Sequence, residues 1–441
     1  MRMASSQPHS ADVLFRSRWF PRPLMSVLLI AAFAVAGIFF IGGHPESGAG
    51  NKQAEGGRLF DLMNPERQNL NAKQKKHFER IKKSVAAVDV KIVRLNAELL
   101  STKPGKLVLP LTDDKSLHMP DTKVIAVKGT EMEAKGRLDL IWKGSSVTQF
   151  ASFSVRGKTL TGLIYDENKL YSVESIGDGL QALILLDPTK FKPDHPREFE
   201  AILRNKIQNG PPPAAEPPPP NAKTVTVRVL VAYTPRVDEM EDDVQSLIAD
   251  ALKYMNDSCK NSRVNLHTEL AGTMKVNYME KNMANDLAAF QQMPDVKKVR
   301  KQKQADICVL LVDNNDKFAG MAAAILADVN TAFAVVDHDE AVRNLVFPHE
   351  LGHLFGARHD INEDPTRDPQ YPWNHGFVPP NANWRTMMAY RTGRQLRVPY
   401  WSNPHVTYDI PPRPMGTMAT EYDARMLNST AETVSKFRNA L

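Results

Sequence analysis

The sequence predicts a mixed α/β domain in its C-terminal half, preceded by a mostly β unit and an apolar N-terminal helix. Three observations lead to this prediction. Residues 221–441 interleave β-rich runs with long helix-like stretches, which indicates an α/β sandwich. Residues 60–210 contain short alternating apolar runs separated by Gly, Asp and Asn, a pattern typical of strands. Residues 24–43 carry no charged side chain.

The uncharged segment 24–43 is long enough to cross a membrane, because a helix of that length spans roughly 30 Å. Three arginines between positions 16 and 22 precede it, so the basic tail 1–23 is expected in the cytoplasm and residues 44–441 outside it. A cleaved signal peptide is the alternative, since residues 34–36 read Ala-Val-Ala. The apolar run continues past that site, which favours a single-pass anchor over a secreted protein.

Composition excludes several classes of protein. The 441 residues are 42% hydrophobic and 24% charged, close to globular averages, so wholesale disorder is excluded. Only Cys259 and Cys308 are present, which excludes a disulfide scaffold and a multi-cysteine zinc module. These two either pair or pack as buried thiols. The net charge of +6 is too small for this length to predict nucleic-acid binding.

A proline-rich segment at 211–220 separates the β unit from the C-terminal domain. Its composition favours extended polyproline II and an exposed linker that proteases can reach. Residues 44–59, rich in Gly, Glu and Lys, are expected to form a spacer. Helices are predicted at four places, about 71–87, 237–259, 344–355 and 420–437. Strands of the C-terminal domain are predicted in the runs TVTVRVLVAY, LHTELAG and DICVLLV, with one or two more in ILADVNTAFAVVD.

The segment with the strongest chemical meaning is HELGHLFGARH at 349–359. On a helix, positions four apart lie on one face, so His349 and His353 can direct ring nitrogens at one metal ion. Glu350 lies beside that face, where it can act as a base on a zinc-activated water without binding the metal itself. Chance is a poor explanation for this combination of residues at this spacing.

The same segment predicts how the helix begins and ends. Asn344 is a suitable N-cap, and Pro348 is expected in the first turn. Gly356 is expected to stop the helix in a left-handed turn and to let the chain return His359 as a third ligand. Three nitrogens and one open position are typical of a catalytic Zn²⁺ site. The other nine histidines, His195 among them, show no ligand spacing and are expected at the surface or in the core.

At this point the chain resembles the metzincin clan of zinc endopeptidases, whose motif H-E-x-x-H-x-x-G-x-x-H is followed by a Met-turn. The segment RTMMAY at 385–390 is similar to that turn. Within the clan, the reprolysin-like group and the bacterial peptidyl-Asp metalloendopeptidases look most similar. Further resembling segments are VLVAYTP at 229–235, TAFAVVDHD at 331–339, WNHGFV at 373–378 and YWSNPHVTY at 400–408.

The resemblance implies a metzincin-like catalytic domain at 221–441, with a twisted sheet and an active-site helix. It implies that Met388 lies beneath the metal and that Tyr390 contacts the metal or the oxyanion. It also implies that residues 60–210 are a prodomain that inhibits the enzyme. Neither the prodomain nor the loop after the Met-turn contains cysteine, so a cysteine switch is excluded and the shape of that loop is not implied.

The resulting prediction is a membrane-anchored zinc endopeptidase that acts on proteins or peptides. A preference for Asp on the carboxyl side of the cut follows from the resemblance and from arginines 391, 394 and 397, of which Arg397 is the first candidate for the contact. One alternative is a zinc amidase acting on cell-wall peptides. Another is an extracytoplasmic binding protein with a degenerate peptidase domain.

Overall fold

The computed structural model describes residues 56–64, 68–127, 136–144, 149–195, 222–313, 317–408 and 411–440. These residues belong to one compact unit, 53–441. The expected membrane segment 24–43 and the proline-rich segment 211–220 lie outside the described residues. Within the ranges given above, no helix combines the length and apolar character needed to span a bilayer.

Residues 56–195, here called the N-terminal segment, are mostly strands. The strands are β1 (Gly57–Arg58), β2 (Phe60–Met63), β3 (Ala87–Leu95), β4 (Lys106–Pro110), β5 (Ser116–Pro120), β6 (Lys123–Val127), β7 (Arg137–Lys143), β8 (Gln149–Arg156), β9 (Thr159–Asp166), β10 (Lys169–Gly177) and β11 (Leu180–Leu186). Eight of them form an antiparallel sheet in the order β2-β3-β11-β10-β9-β8-β7-β6, and β1, β4 and β5 form a small second sheet. Leu109 of the small sheet and Phe153 of the large one share a buried core.

Two helices accompany these strands, α1 (Ala72–Lys83) and α2 (Ala97–Ser101), together with a 3-10 turn at Pro188–Lys190. A capping box between Asn71 and Gln74 starts α1, because each side chain accepts a hydrogen bond from the backbone of the other. The helix is shorter than its predicted range of about 71–87, since the chain enters strand β3 at Ala87.

Residues 222–440, here called the C-terminal segment, are built on a five-stranded sheet. Its strands are β12 (Val225–Tyr233), β13 (Leu266–Lys275), β14 (Ile307–Val312), β15 (Gly320–Ala322) and β16 (Phe333–Asp337). They lie in the order β13-β12-β14-β16-β15, and only the edge strand β15 runs antiparallel. Alternate residues of β12 enter different cores, Val229 on one face of the sheet and Leu230 on the other.

Helices cover both faces of this sheet. They are α3 (Pro235–Met240), α4 (Val244–Asn261), α5 (Met283–Gln292), α6 (Pro294–Lys303), α7 (His338–Arg343), α8 (Val346–Phe355) and α9 (Asp423–Val434), with a 3-10 turn at Phe437–Ala440. Short strands β17 (Trp384–Arg385), β18 (Leu396–Arg397), β19 (Asn403–Tyr408) and β20 (Arg413–Met415) form two small pairs. Buried residues of α4, α8 and α9 pack on one face and those of α5 and α6 on the other, which confirms the mixed α/β class.

Two local predictions for this segment were wrong, the helix at 237–259 and the N-cap at Asn344. The single helix expected at 237–259 is two helices, because Asp243 accepts a hydrogen bond from Ser246 N and caps a new start at Val244. The run ILADVNTAFAVVD, expected to hold one or two strands, holds one, Phe333–Asp337. Asn344 follows the last residue of α7 and does not cap α8.

The two cysteines are free and buried, and burial raises the pKa of each thiol to about 12. Cys259 lies on α4 and Cys308 on β14, and both side chains belong to apolar cores. Of the two alternatives given by the sequence, the structure therefore has the buried thiols.

The N-terminal and C-terminal segments share a hydrophobic core. Phe78 and Tyr165 of the first are buried in the same cluster as Val229 and Phe347 of the second. Ion pairs surround this contact, with most of the cations on the N-terminal segment: Lys73–Asp242 at 2.8 Å, Lys76–Glu239 at 2.6 Å, Arg80–Asp339 at 2.6 Å, Lys192–Asp337 at 2.7 Å and Arg343–Glu174 at 2.6 Å. The two segments are therefore joined by apolar packing and by charge.

Candidate metal centre and active site

Helix α8 presents the predicted histidine pair. It begins at Val346 after Leu345, which has a left-handed backbone with φ of 55°. It ends at Phe355, and Gly356 follows with φ of 101°. A side chain at Gly356 would be strained by this φ, and its Cβ would lie 2.2 Å from Met426 Cε. The chain can therefore turn sharply after the helix only with glycine at this position.

That turn brings His359 back to His349 and His353. The Nε2 atom of His359 lies 3.1 Å from Nε2 of each of the other two, and all three side chains are buried. The Nδ1 atoms of His349 and His353 lie 3.0 Å from the carbonyls of Met387 and Ala357, so each of these two rings donates from Nδ1. Their Nε2 lone pairs then face a common point.

The three rings fit a metal ion. Burial lowers the pKa of His349 to about 3 and those of His353 and His359 well below their usual value, so all three are neutral ligands. Neutral Nε2 atoms that converge at this spacing can share one cation as their common partner. Ligands at about 2.0–2.1 Å in a tetrahedral zinc site lie roughly 3.3 Å apart, close to the spacing of these nitrogens.

Glu350 lies between this cluster and the edge strand β15. A Cβ added at Gly320 would come within 2.6 Å of Glu350 Oε1, so the carboxylate packs against the strand backbone. Neither carboxylate oxygen makes a full hydrogen bond to the described residues, although both are buried. Burial, together with the charge of Asp194, raises the pKa of Glu350 well above its usual range. A buried carboxylate whose oxygens receive no full hydrogen bond from these residues is suited to hold a water or a proton.

The turn at 385–390 lies against the same helix. Met388 Sδ is 2.7 Å from the position that a Cβ would take at Gly352, so the methionine packs directly on α8 between the two histidine positions. The ring of Tyr390 lies 4.4 Å from that of His359, and its backbone N–H donates to Asp360 Oδ2 at 2.9 Å. The sequence motif and the turn are thus neighbours in space.

The three arginines after this turn are in different surroundings. Arg394 is exposed, with its side chain 78% accessible, and Arg391 donates from Nη1 to the carbonyls of Pro188 and Phe191. Arg397 is buried. Only Arg397 combines burial with a position beside the histidine cluster, because its ion-pair partner also approaches His349.

That partner is Asp194, at the end of the described N-terminal segment. Both carboxylate oxygens of Asp194 accept from the Arg397 guanidinium, Oδ1 from Nη1 at 3.0 Å and Oδ2 from Nη2. Burial alone would raise the pKa of Asp194, but Arg397 holds it well below its usual range. Asp194 Oδ2 also lies 3.8 Å from His349 Nε2. Asp194 and Arg397 therefore form a buried, bidentate ion pair at the edge of the histidine cluster.

A fourth histidine, His195, was not predicted. Its Nε2 atom lies 3.1 Å from Nε2 of His353, and all four histidines offer ligand atoms within 4.8 Å of one another. Its backbone N–H and carbonyl are both 3.4 Å from the Tyr390 hydroxyl. No spacing rule relates His195 to the motif, because more than 150 residues separate them in the chain. Its adjacency to an acidic residue just before the proline-rich segment is the only local feature available.

The chain is similar to known metallopeptidases. Residues 223–402 match the family described as metallo-peptidase family M12. The chain is 34% identical over 293 residues to the peptidyl-Asp metalloendopeptidase of Stenotrophomonas maltophilia (strain K279a), covering 64% of this chain and 69% of that protein. It is 30% identical over 376 residues to the peptidyl-Asp metalloendopeptidase of Xanthomonas campestris pv. campestris, covering 82% and 88%.

Among solved structures, metalloproteinase-II from Bacteroides fragilis is similar over 67% of this chain and 86% of its own, with a TM-score of 0.37 and 14% identity.

Proposed function

The chain belongs to metallo-peptidase family M12, and on that premise we propose that it is a zinc endopeptidase in which Glu350 is the general base. One observation carries the proposal: three buried Nε2 atoms converge at 3.1 Å beside a buried carboxylate that has no full hydrogen bond to the described residues. A histidine metal site with an adjacent base is the arrangement that metal-assisted peptide hydrolysis requires.

His349, His353 and His359 would hold the metal. Imidazole nitrogen in a tetrahedral arrangement suits zinc, and neutral rings at neutral pH bind it without competition from protons. When bound, zinc supplies Lewis-acid polarisation of the scissile carbonyl and lowers the pKa of an attacking water.

The protein side chains then carry the proton transfers. Glu350 accepts a proton from the attacking water and passes it to the leaving amine. Tyr390 can donate from its hydroxyl to the developing oxyanion, since that hydroxyl reaches a backbone carbonyl and N–H at the site. Met388 packs beneath the helix and holds the ligands in register.

The proposed specificity is for Asp on the carboxyl side of the cut. Two observations support it: the relatives are named peptidyl-Asp metalloendopeptidases, and Arg397 is a buried arginine at the edge of the metal cluster. A buried guanidinium without a carboxylate costs free energy, so a substrate that supplies one is favoured over its neutral analogue.

We also propose that residues 60–210 act as an inhibitory prodomain and that segment 24–43 anchors the enzyme in a membrane, with residues 44–441 outside the cytoplasm. The first is supported by the contact of the N-terminal segment with the site, through Asp194 and His195. The second rests on the apolar sequence alone.

The test is hydrolysis of a peptide library by the full chain, before and after limited proteolysis, with zinc measured on the same samples. Glu350→Gln should lower kcat/KM by about 10³-fold or more and leave the zinc content unchanged. His359→Ala should lose zinc, and the exposed Glu432→Gln should change neither. Parental activity in Glu350→Gln would refute the mechanism. Cleavage confined to cell-wall peptides would point to the amidase, and bound zinc without hydrolysis to a binding protein.

A further inference from the structure

We infer that Asp194 and His195 together form an internal stopper of this active site, in which His195 occupies the fourth position at the metal and Asp194 occupies the place of a substrate aspartate at Arg397. The inference rests on the proposed function and adds to it the identity of the inhibitory residues and the chemistry that they imitate.

The first half of the stopper is the imidazole of His195. Its Nε2 atom is 3.1 Å from that of His353, the same spacing that His359 keeps to each of its two neighbours. With three histidines the metal keeps an open position, but with four protein nitrogens the site is closed. Catalytic zinc sites need the open position, whereas closed sites are structural. His195 therefore converts a catalytic site into a closed one.

The second half of the stopper is the carboxylate of Asp194. Two hydrogen bonds join it to Arg397, and both side chains are buried. This is the contact proposed for the aspartate of a substrate, made here by the chain itself. A substrate carboxylate and Asp194 cannot occupy Arg397 at the same time.

The backbone around the stopper also takes the position of a bound peptide. The N–H of Ala319 donates to the carbonyl of Pro193 at 2.9 Å, and that of Gly320 donates to the carbonyl of Asp194 at 2.9 Å. Gly320 begins the edge strand β15, against which Glu350 packs. An extended peptide that binds an edge strand through its main chain is a recognised mode of substrate and inhibitor binding. The stopper is held in that mode but presents an imidazole, not a peptide carbonyl, to the metal position.

Further contacts hold the stopper from both sides. Lys192 pairs with Asp337 at 2.7 Å, and Arg391 donates to the carbonyls of Pro188 and Phe191. On the stopper's side these contacts are made by residues 188–192, which precede the proline-rich segment 211–220 in the chain. A cut within that segment therefore leaves the stopper in place, and activity requires that the N-terminal segment be displaced or degraded as well.

The first test is the visible absorption of the full chain loaded with cobalt(II) in place of zinc, in a Glu350→Gln background that prevents self-cleavage. The parent should show bands that do not change with pH or added azide, because four protein nitrogens close the site. His195→Ala should show changed bands that titrate with pH, because a solvent ligand has taken the open position. Added imidazole should restore the parental bands, which shows that the variant has folded. Parental bands in His195→Ala would overturn the inference.

The second test is binding of a fluorescent, amidated peptide with one central Asp to chains in the same Glu350→Gln background, now loaded with zinc. The double variant Asp194→Asn/His195→Ala should bind it roughly a hundredfold more tightly than the parent, because loss of both side-chain anchors lets the backbone of residues 193–195 leave strand β15 and the competent state is no longer rare. A peptide with Asn in place of Asp should gain far less. The double variant Asp113→Asn/His118→Ala, at two exposed positions of the same segment, should bind as the parent does. No gain for the Asp peptide, in a variant with parental circular dichroism, would overturn the inference.

Neither measurement needs turnover. Failure of the cobalt and binding tests therefore removes the stopper, whereas failure of peptide hydrolysis by the released enzyme removes the proposed function, and each can fail while the other stands.

Discussion

Truncation of Arg343 tests how the N-terminal and C-terminal segments are held together. Its guanidinium lies 2.6 Å from each oxygen of Glu174 across the contact, and it also donates to Ser84 Oγ. The side chains of the pair are 5% and 24% exposed. Because removal of one partner leaves a mostly buried charge, Arg343→Ala should lower the free energy of unfolding by roughly 2–4 kcal/mol. The Lys76–Glu239 pair crosses the same contact but is 47% and 63% exposed, so Lys76→Ala should cause no measurable loss.

The assay is urea unfolding of the full chain in the Glu350→Gln background, followed by tyrosine and tryptophan fluorescence. A double-mutant cycle with Glu174→Ala separates the coupling of the pair from the other contacts of Arg343. The cycle should show that the two truncations together cost clearly less than their sum, since the second removes a charge that the first left unpaired. If Arg343→Ala unfolds at the same urea concentration as Lys76→Ala, the reasoning from burial is wrong.

Three further outcomes are expected. Burial of His338 lowers its pKa, but the surrounding carboxylates outweigh burial and raise that pKa from 6.5 to about 10. The contribution of protonated His338 to stability is therefore complete below pH 6.5 and is lost as the pH rises through about 10. In His338→Asn the unfolding midpoint should depend less on pH across that window, and an unchanged dependence would contradict this. In the released enzyme, Arg397→Ala should lower kcat/KM for Asp peptides by about 10²-fold and have little effect on Leu peptides. Substitution of the exposed Arg394 by Ala should change neither value. A preference for Asp that survives in Arg397→Ala would assign recognition to another group. Gly352→Ala should destabilise the chain by about 1–3 kcal/mol because its Cβ would lie 2.7 Å from a methionine sulfur, while Gly105→Ala, with open space around it, should not, as thermal unfolding would show.

The sequence predicted those elements whose structure depends on the pattern of residues within a short window. The β-rich runs of the C-terminal segment became parallel strands because their apolar residues enter cores on both faces of the sheet. The spacing of His349 and His353 predicted their common direction, since helix geometry alone sets it. Predictions failed where two local preferences competed. Asn344 is a good N-cap by residue type, but helix α7 ends at Arg343, so Asn344 follows that helix and Leu345 takes the N-cap position before α8.

Contacts between distant parts of the chain were beyond this kind of reasoning. Asp194 and His195 follow no periodic pattern, and the side chains that theirs contact at the site lie more than 150 residues away. Their approach depends on how two large sheets pack, which no short window of sequence encodes. Arg397 was predicted as a candidate from its place after the Met-turn, but the carboxylate that it binds in the structure belongs to the chain itself.

The core shared by the two segments has a consequence for how the enzyme can be made and kept. Tyr165 and Phe78 lie in the same apolar cluster as buried residues of α8, the helix that carries His349 and His353. The Tyr165 hydroxyl also donates to the carbonyl of Arg397. A C-terminal segment synthesised alone would have to form its site without that template, so we expect it to fold slowly or aggregate. Once freed from a finished chain, it would persist only for as long as its unfolding barrier lasts. Maturation would then be irreversible: each molecule folds once with its template, and an unfolded mature enzyme has no route back.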